Sequence, residues 1–298
     1  MESQSPFWLK EIKKVAVIIA IVLALASCSS TKFAYRYADW GIVWWVDDYI
    51  SMTEEQENQL KRDILALRDW HCRTELPRYS QWLKNLKEDI RSGNLENARV
   101  SYHLEQLLSF SPPLADRAKP AAKRLLSSLS DEQVRELAEN MAENQAELKE
   151  KLLAEKAEQT RQARTERTKE RIERWLGTLN ETQTSILEQW SYDRGRQTEI
   201  WLEGRQTWQR ELLEALEQRK EASFDRAIDN LIDNNEALRG PEYEQMMAKS
   251  RASMTDLLTD LLEETDQEQL DFLLDRAATL RDDFNKLACT GENTPGIE

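Results

Sequence analysis

The chain has 298 residues, a formal net charge of -14, and 32% charged against 40% hydrophobic side chains. An acidic balance supplies no general electrostatic pull toward nucleic acid, so a nucleic-acid partner is not expected. Eight glycines and seven prolines over this length, with enough apolar residues for a core, point to helices rather than disorder.

Lys10, Lys13 and Lys14 precede an uninterrupted apolar run, VAVIIAIVLALA, from Val15 to Ala26. The run falls short of the about 20 apolar residues a spanning helix needs. A charged start, a short apolar core and small residues at its end make a secretory signal. Its end, Leu25-Ala26-Ser27-Cys28, resembles the bacterial lipobox. The resemblance implies a signal peptide over 1–27 and a diacylglycerol-modified Cys28; an uncleaved anchor with an incidental cysteine is the alternative. Ser29 follows where an Asp would resemble an inner-membrane retention signal. By resemblance to enterobacterial sorting this favours the outer membrane, facing the periplasm, over the inner membrane. Several acyl chains on one cysteine would hold the protein firmly, since a single chain binds only marginally.

The stretch FAYRYADWGIVWWVDDYISMTEEQ, residues 33–56, is crowded with aromatics. Phe33, Tyr37, Trp40 and Trp44 share one helical face, which Val43 and Ile50 broaden. A helix within 28–51 therefore either packs into the bundle or lies in the lipid interface, where Trp and Tyr favour the headgroup level. Asp47 and Asp48 point about 100° apart on a helix and cannot act as one clamped pair. They read as a polar helix end beside the next cap.

Four helix starts are legible. Thr53 with Gln56, Ser130 with Gln133, and Asn180 with Gln183 have capping-box spacing, and the run from Thr265 to Glu268 makes a fourth, capped by Thr265 or Asp266. Pro112-Pro113, Pro120, Gly240-Pro241 and Ser92-Gly93-Asn94 mark breaks. The order of caps and breaks is duplicated, each half opening on a long helix, from Thr53 to about Arg91 and from Asn180 to about Lys220, and DEQVREL at 131–137 resembles QEQLDFL at 267–273. No strand-like alternation of useful length appears. The expected fold is all-α: an elongated helical bundle of two similar four-helix units joined by a long charged helix. The divisions are 52–153 for the first unit, 154–177 for the bridge, 178–288 for the second unit and 289–298 for a flexible tail.

Ser130 to Trp175 contains no Gly or Pro, which predicts one helix of about 70 Å. Residues 154–171 carry no large apolar side chain, so this span is expected to leave the core. Arg164, Arg167, Arg171 and Arg174 gather on one side of it, opposite a row of glutamates. Either the helix is simply solvated, or the arginine side meets an anionic partner: lipopolysaccharide, an acidic envelope protein or a second copy. Arginine suits that role because its planar fork grips phosphate or carboxylate.

Two histidines are present, His71 and His103, and neither follows a Glu at the spacing of carboxylate di-metal bundles. Phosphate-cradling glycine loops, nucleophile elbows and zinc spacings are absent from the sequence. His71 and Glu75 lie one turn apart beside Pro77, which should kink the helix, and read as a buried polar contact there. With Cys28 lipidated, Cys72 and Cys289 are left either to pair in an oxidising compartment or to stay as two buried thiols. No catalytic residue, metal site or cofactor is read from the chain, and no enzyme is expected.

The lipobox, the aromatic block ending in MTEEQ and the following DWH...ELPRY resemble an uncharacterised family of proteobacterial lipoproteins. Trp40, Trp44, Asp47, Asp48, Tyr49, Thr53, Gln56, Trp70, His71, Glu75, Leu76 and Pro77 carry the resemblance. It implies a helical envelope lipoprotein and supplies no activity. MTEEQ, LSDEQ and LNETQ are also similar to the LTxxQ helix starts of Spy-type periplasmic chaperones, an analogy resting mainly on capping. The expectation is a non-enzymatic scaffold or binding module for envelope partners, with a chaperone-like binder of unfolded envelope proteins as the alternative. Cys28→Ala is predicted to leave an unprocessed precursor that takes no acyl label in cells fed radiolabelled palmitate. Normal processing with label would remove the anchor.

Overall fold

The computed structural model describes residues 30–153 and 156–289, and all regular elements among them are helical. In chain order they are α1 (Ser30–Arg36), α2 (Ala38–Asp47), α3 (Glu54–Arg91), α4 (Asn97–Leu108), α5 (Ser111–Ser128), α6 (Asp131–Leu152) and α7 (Ala157–Leu176). There follow α8 (Glu181–Asp193), α9 (Gln197–Glu217), α10 (Phe224–Asp233), α11 (Asn235–Leu238), α12 (Pro241–Glu263) and α13 (Gln267–Leu287). The expected signal peptide, Cys28 and most of the expected 289–298 tail lie outside the described residues.

All four caps form, and the fourth is Asp266. Each has a glutamine at the third helical position, and these glutamines meet in pairs. Gln56 Nε2 donates to Gln133 Oε1 at 3.1 Å, and Gln133 Nε2 donates back to Gln56 Oε1 at 2.7 Å. Gln183 and Gln269 repeat the exchange at 3.0 and 2.9 Å. The second amide proton of each also finds a carbonyl in equivalent places: Ser128 and Ser51 in the first pair, Glu264 and Thr178 in the second. Each glutamine oxygen meanwhile accepts the N–H of its own cap residue. Glutamate would serve the capping box equally well. Only an amide can also donate across the pair, which is why all four positions are glutamine. The duplication seen in the spacing of the caps is thus repeated in hydrogen-bond geometry.

The two halves do not fold as separate bodies. The most extensive helix pairing is α13 along α3, while α12 packs on α4, α9 on α6 and α10 on α5. The main core mixes both halves, with Ile50, Leu129, Leu137 and Met141 against Leu212, Leu216, Phe224 and Ile228. A second cluster, Leu176, Leu179, Leu187, Leu257 and Leu261, closes around the Gln183 cap. Cys72 and Cys289 form a disulfide with a sequence separation of 217, joining the end of α13 to the middle of α3. Closing so long a loop contributes about 5 kcal/mol in the chain-entropy account.

Three expectations about helix continuity need correction. The 130–175 rod breaks after Leu152, where Leu153 and Lys156 are extended. The break lets α6 pack on α9 while α7 packs on α8 and α13. Nor does α7 leave the core, since Thr160, Arg164 and Leu176 are buried in it. The long helix expected from Asn180 to Lys220 is interrupted at Gly195, whose φ of 49° suits glycine. By contrast, Pro77 sits inside α3 without ending it.

Gln183 is 0% exposed and its amide protons face only acceptors. Gln183→Glu therefore keeps the cap but places a carboxylate against carbonyl oxygens, at a cost of about 3–5 kcal/mol near neutral pH. Urea unfolding should show that loss, shrinking in acid as the new carboxyl protonates and regains one donor. The same change at half-buried Gln56 is expected to cost less.

Candidate functional site

The first feature of note is the outer surface of α1 and α2. Phe33, Trp40 and Trp45 are 62%, 61% and 58% exposed, and Tyr37 and Trp44 are exposed beside them. Trp40 and Trp44 stack with ring planes 9° apart. The segment does pack on the bundle, but through its other face, and the aromatic stripe points outward. The helix breaks at Tyr37, and α2 docks through Val43, which joins Leu60 and Ile64 of α3 in a small core. Tyr35 holds α1 in place: its hydroxyl donates to Arg68 O at 3.1 Å and lies 3.2 Å from His71 Nδ1. Burial pushes the Tyr35 phenol up to about 12. Lys32 pairs with Asp283 of α13 at 3.2 Å.

His71 and Glu75 do not bond to each other as their spacing implied. Glu75 is 1% exposed and accepts from Arg78 Nη1 at 2.6 Å, while His71 turns to Tyr35. Burial lowers the His71 pKa against the opposing pull of Glu75. Asp47 and Asp48 are exposed at the end of α2. One group among the described residues brings three potential metal ligands together, Asp69, Cys72 and Cys289, but both sulfurs are committed to the disulfide.

The second feature is a cavity of about 1300 Å³ between the halves, partly open to solvent. Trp82, Leu86 and Leu104 from α3 and α4 form one wall, and Ile172, Trp190 and Leu258 from α7, α8 and α12 form another. Among the described residues that line it there is no Asp or Glu, while Arg164, Arg167, Arg171 and Arg194 all do. This changes the meaning of the arginine stripe. Arg164 is 8% exposed, Arg167 is half-buried, and only Arg171 and Arg174 are exposed; Arg174 is not part of the lining. The stripe is drawn inward because the α8–α9 turn supplies carbonyls for it. Arg164 donates to Ser191 O and Gly195 O, both at 3.1 Å, and to Thr198 Oγ1 at 3.3 Å.

Arg194 lies over the Trp190 ring and donates to Gln197 and Ser250. Burial lowers the pKa of Arg164, Arg167 and Arg194, and neighbouring guanidinium charges lower each further. Glu199 opposes this at Arg164, though its own Oε2 is buried without a hydrogen-bond partner.

On the opposite wall stands a buried polar cluster. Asp89 accepts from Arg99 Nε at 2.7 Å, and its Oδ2 lies 2.8 Å from His103 Nε2. Burial pushes the Asp89 carboxyl up, but the hydrogen bonds from Arg99 and His103 outweigh it and hold the group below its ordinary range. The His103 Nδ1 atom is buried with no partner, and the residue lines the cavity. An Asp–His pair could orient a general base, but no nucleophile is bonded to His103 among the described residues.

The sequence located Arg164, Arg167 and Arg171 without revealing what they face. Arg194, His103 and Trp82 were missed as site residues. The one signal for Arg194 was its position a helical turn after Trp190.

The fold and cavity define an all-helical protein with a large apolar cavity between its halves. The chain belongs to a family of unknown function, DUF6279, which matches residues 48–244. No curated protein and no solved structure matches the chain. No helix among the described residues is long and apolar enough to cross a membrane.

Asp89 generates a pH prediction. Its folded pKa is depressed, so its stabilisation is fully present above the unfolded carboxylate value of about 3.9 and is lost as pH falls through the folded value. Asp89→Asn is expected to cost about 2–3 kcal/mol at neutral pH. In urea titrations the gap between variant and parent should close below the carboxylate range.

Proposed function

We propose that this chain is a non-enzymatic outer-membrane lipoprotein that works as a binding module, anchored by acylated Cys28 and facing the periplasm. The cavity is its binding element. The observation that carries this reading is a large apolar cavity whose described lining residues include several cations and no carboxylate. It exceeds the about 300–1,000 Å³ of ordinary small-molecule pockets and shares their apolar walls with a few convergent polar groups. The exposed aromatics of α1 and α2 begin within a few residues of Cys28, where an acylated chain would meet the headgroup layer. They keep the body at the membrane surface and leave the chamber for a ligand.

A chaperone-like binder of unfolded envelope proteins is the second reading, and the same exposed aromatics favour it, because they offer unfolded clients an apolar surface. The two readings separate in one experiment on the mature chain secreted with Cys28→Ala. The apolar dye N-phenylnaphthylamine should bind saturably, near one site per chain, and Leu104→Trp with Leu258→Trp should weaken it by crowding the apolar walls. Unsaturable dye uptake together with suppression of client aggregation that survives the double substitution would replace the binding module with the chaperone.

A further inference from the structure

We infer that the cavity is a lipid site, taking the acyl chains of an anionic lipid between the two halves of the bundle and its acidic head on the arginines of α7 and the α8–α9 turn. This rests on the cavity being the binding element and names its ligand. Charge and partner bookkeeping carry the argument. Arg167 and Arg171 line the chamber and have no ion-pair or hydrogen-bond partner among the described residues. Arg164 is more than nine-tenths buried, and its Nε has no partner although both terminal nitrogens are satisfied. Guanidinium groups gathered with no Asp or Glu among the described lining residues repel one another, and burial already disfavours their charge, with Glu199 opposing this at Arg164 alone. An anionic head relieves both penalties, since charge-assisted bonds from arginine forks to phosphate or carboxylate are strong.

The remainder of the site fits chains rather than a polar metabolite. The apolar walls are leucines and aromatics with Ile90, Val100, Ile172 and Met254, drawn from nine helices of both halves. Trp82 and His103 also line the cavity, though their Nε1 and Nδ1 atoms are buried beneath its surface and have no hydrogen-bond partner among the described residues. A lipid-anchored protein would stand beside a supply of such molecules. The net acidity of the chain does not oppose this, because selectivity is set by the local cluster and acidic groups outside it are screened over about 8–10 Å at ordinary salt.

The test uses the mature lipidated chain in phosphatidylcholine vesicles carrying a trace of one photoreactive probe, its diazirine on an acyl chain. The three probes are phosphatidylglycerol, palmitic acid and the uncharged diacylglycerol. After illumination, labelled peptides are mapped by mass spectrometry. One or both anionic probes should label cavity residues of α4 and α12 at least about tenfold more than diacylglycerol, equivalent to about 1.4 kcal/mol of selectivity. The ratio of phosphatidylglycerol to palmitate label identifies a phosphate or a carboxylate head. Arg167→Gln with Arg171→Gln, which breaks no internal bond, should bring anionic label down toward the diacylglycerol level, whereas exposed Arg174→Gln should leave it unchanged. Equal labelling of the cavity by all three probes, or label indifferent to the double substitution, overturns the anionic-lipid assignment and leaves the chamber as a general apolar site. Absence of cavity label from every probe overturns the assignment, and loss of saturable dye binding as well would remove the binding-module reading beneath it.

Discussion

The architecture depends on two reciprocal amide pairs. At each, two helix N-termini approach so that the third residue of one faces the third residue of the other, and both glutamines serve three masters at once. The oxygen accepts from its own cap and from the opposing amide, while the nitrogen donates across the pair and to a backbone carbonyl. Buried polar networks of this kind are costly when partly satisfied and specifying when complete. They fix which helix starts meet, and therefore how α3 is set against α6 and α8 against α13. Hydrophobic burial supplies most of the driving force, yet leucines would tolerate several registers that these amides do not.

Once the starts are fixed, the remaining helices have little freedom. The chain returns on itself so that α13 covers α3 and α12 covers α4, and the disulfide between Cys72 and Cys289 closes that return covalently. The chamber arises from this interleaving. Its walls come from helices far apart in sequence, and neither half encloses it alone. The same closure brings α7 against the α8–α9 turn, where the carbonyls of Ser191 and Gly195 draw Arg164 out of solvent. A residue patterned like a surface charge thereby becomes part of an interior.

The opposite outcome holds for the aromatic segment. Phe33, Tyr37, Trp40 and Trp44 have the spacing of a buried stripe, but the docking of α2 is taken over by Val43, and the large rings stay outside. Arginine inside and tryptophan outside both invert the usual partition of side chains. The two differ in compensation: Arg164 is met by carbonyls of the same chain, whereas the exposed rings are covered by nothing among the described residues.

The all-α class, three of the four caps and the duplication were determined by the sequence, because each is a local matter: a hydroxyl or amide oxygen three residues before a glutamine, and apolar residues at helical spacing; the fourth cap was narrowed to Thr265 or Asp266. The residues of the arginine cluster on α7 were also visible, again because helical periodicity groups them. Their burial was not, since it depends on carbonyls from a turn around Gly195, about thirty residues away along the chain. The break after Leu152 has the same origin: no residue there forbids a helix, and the competing contacts of α6 and α7 decide it. The chamber, the glutamine pairing and the outward aromatics likewise belong to tertiary structure alone. They depend on which helices meet, and local sequence carries the periodicity of each helix but not the identity of its neighbour.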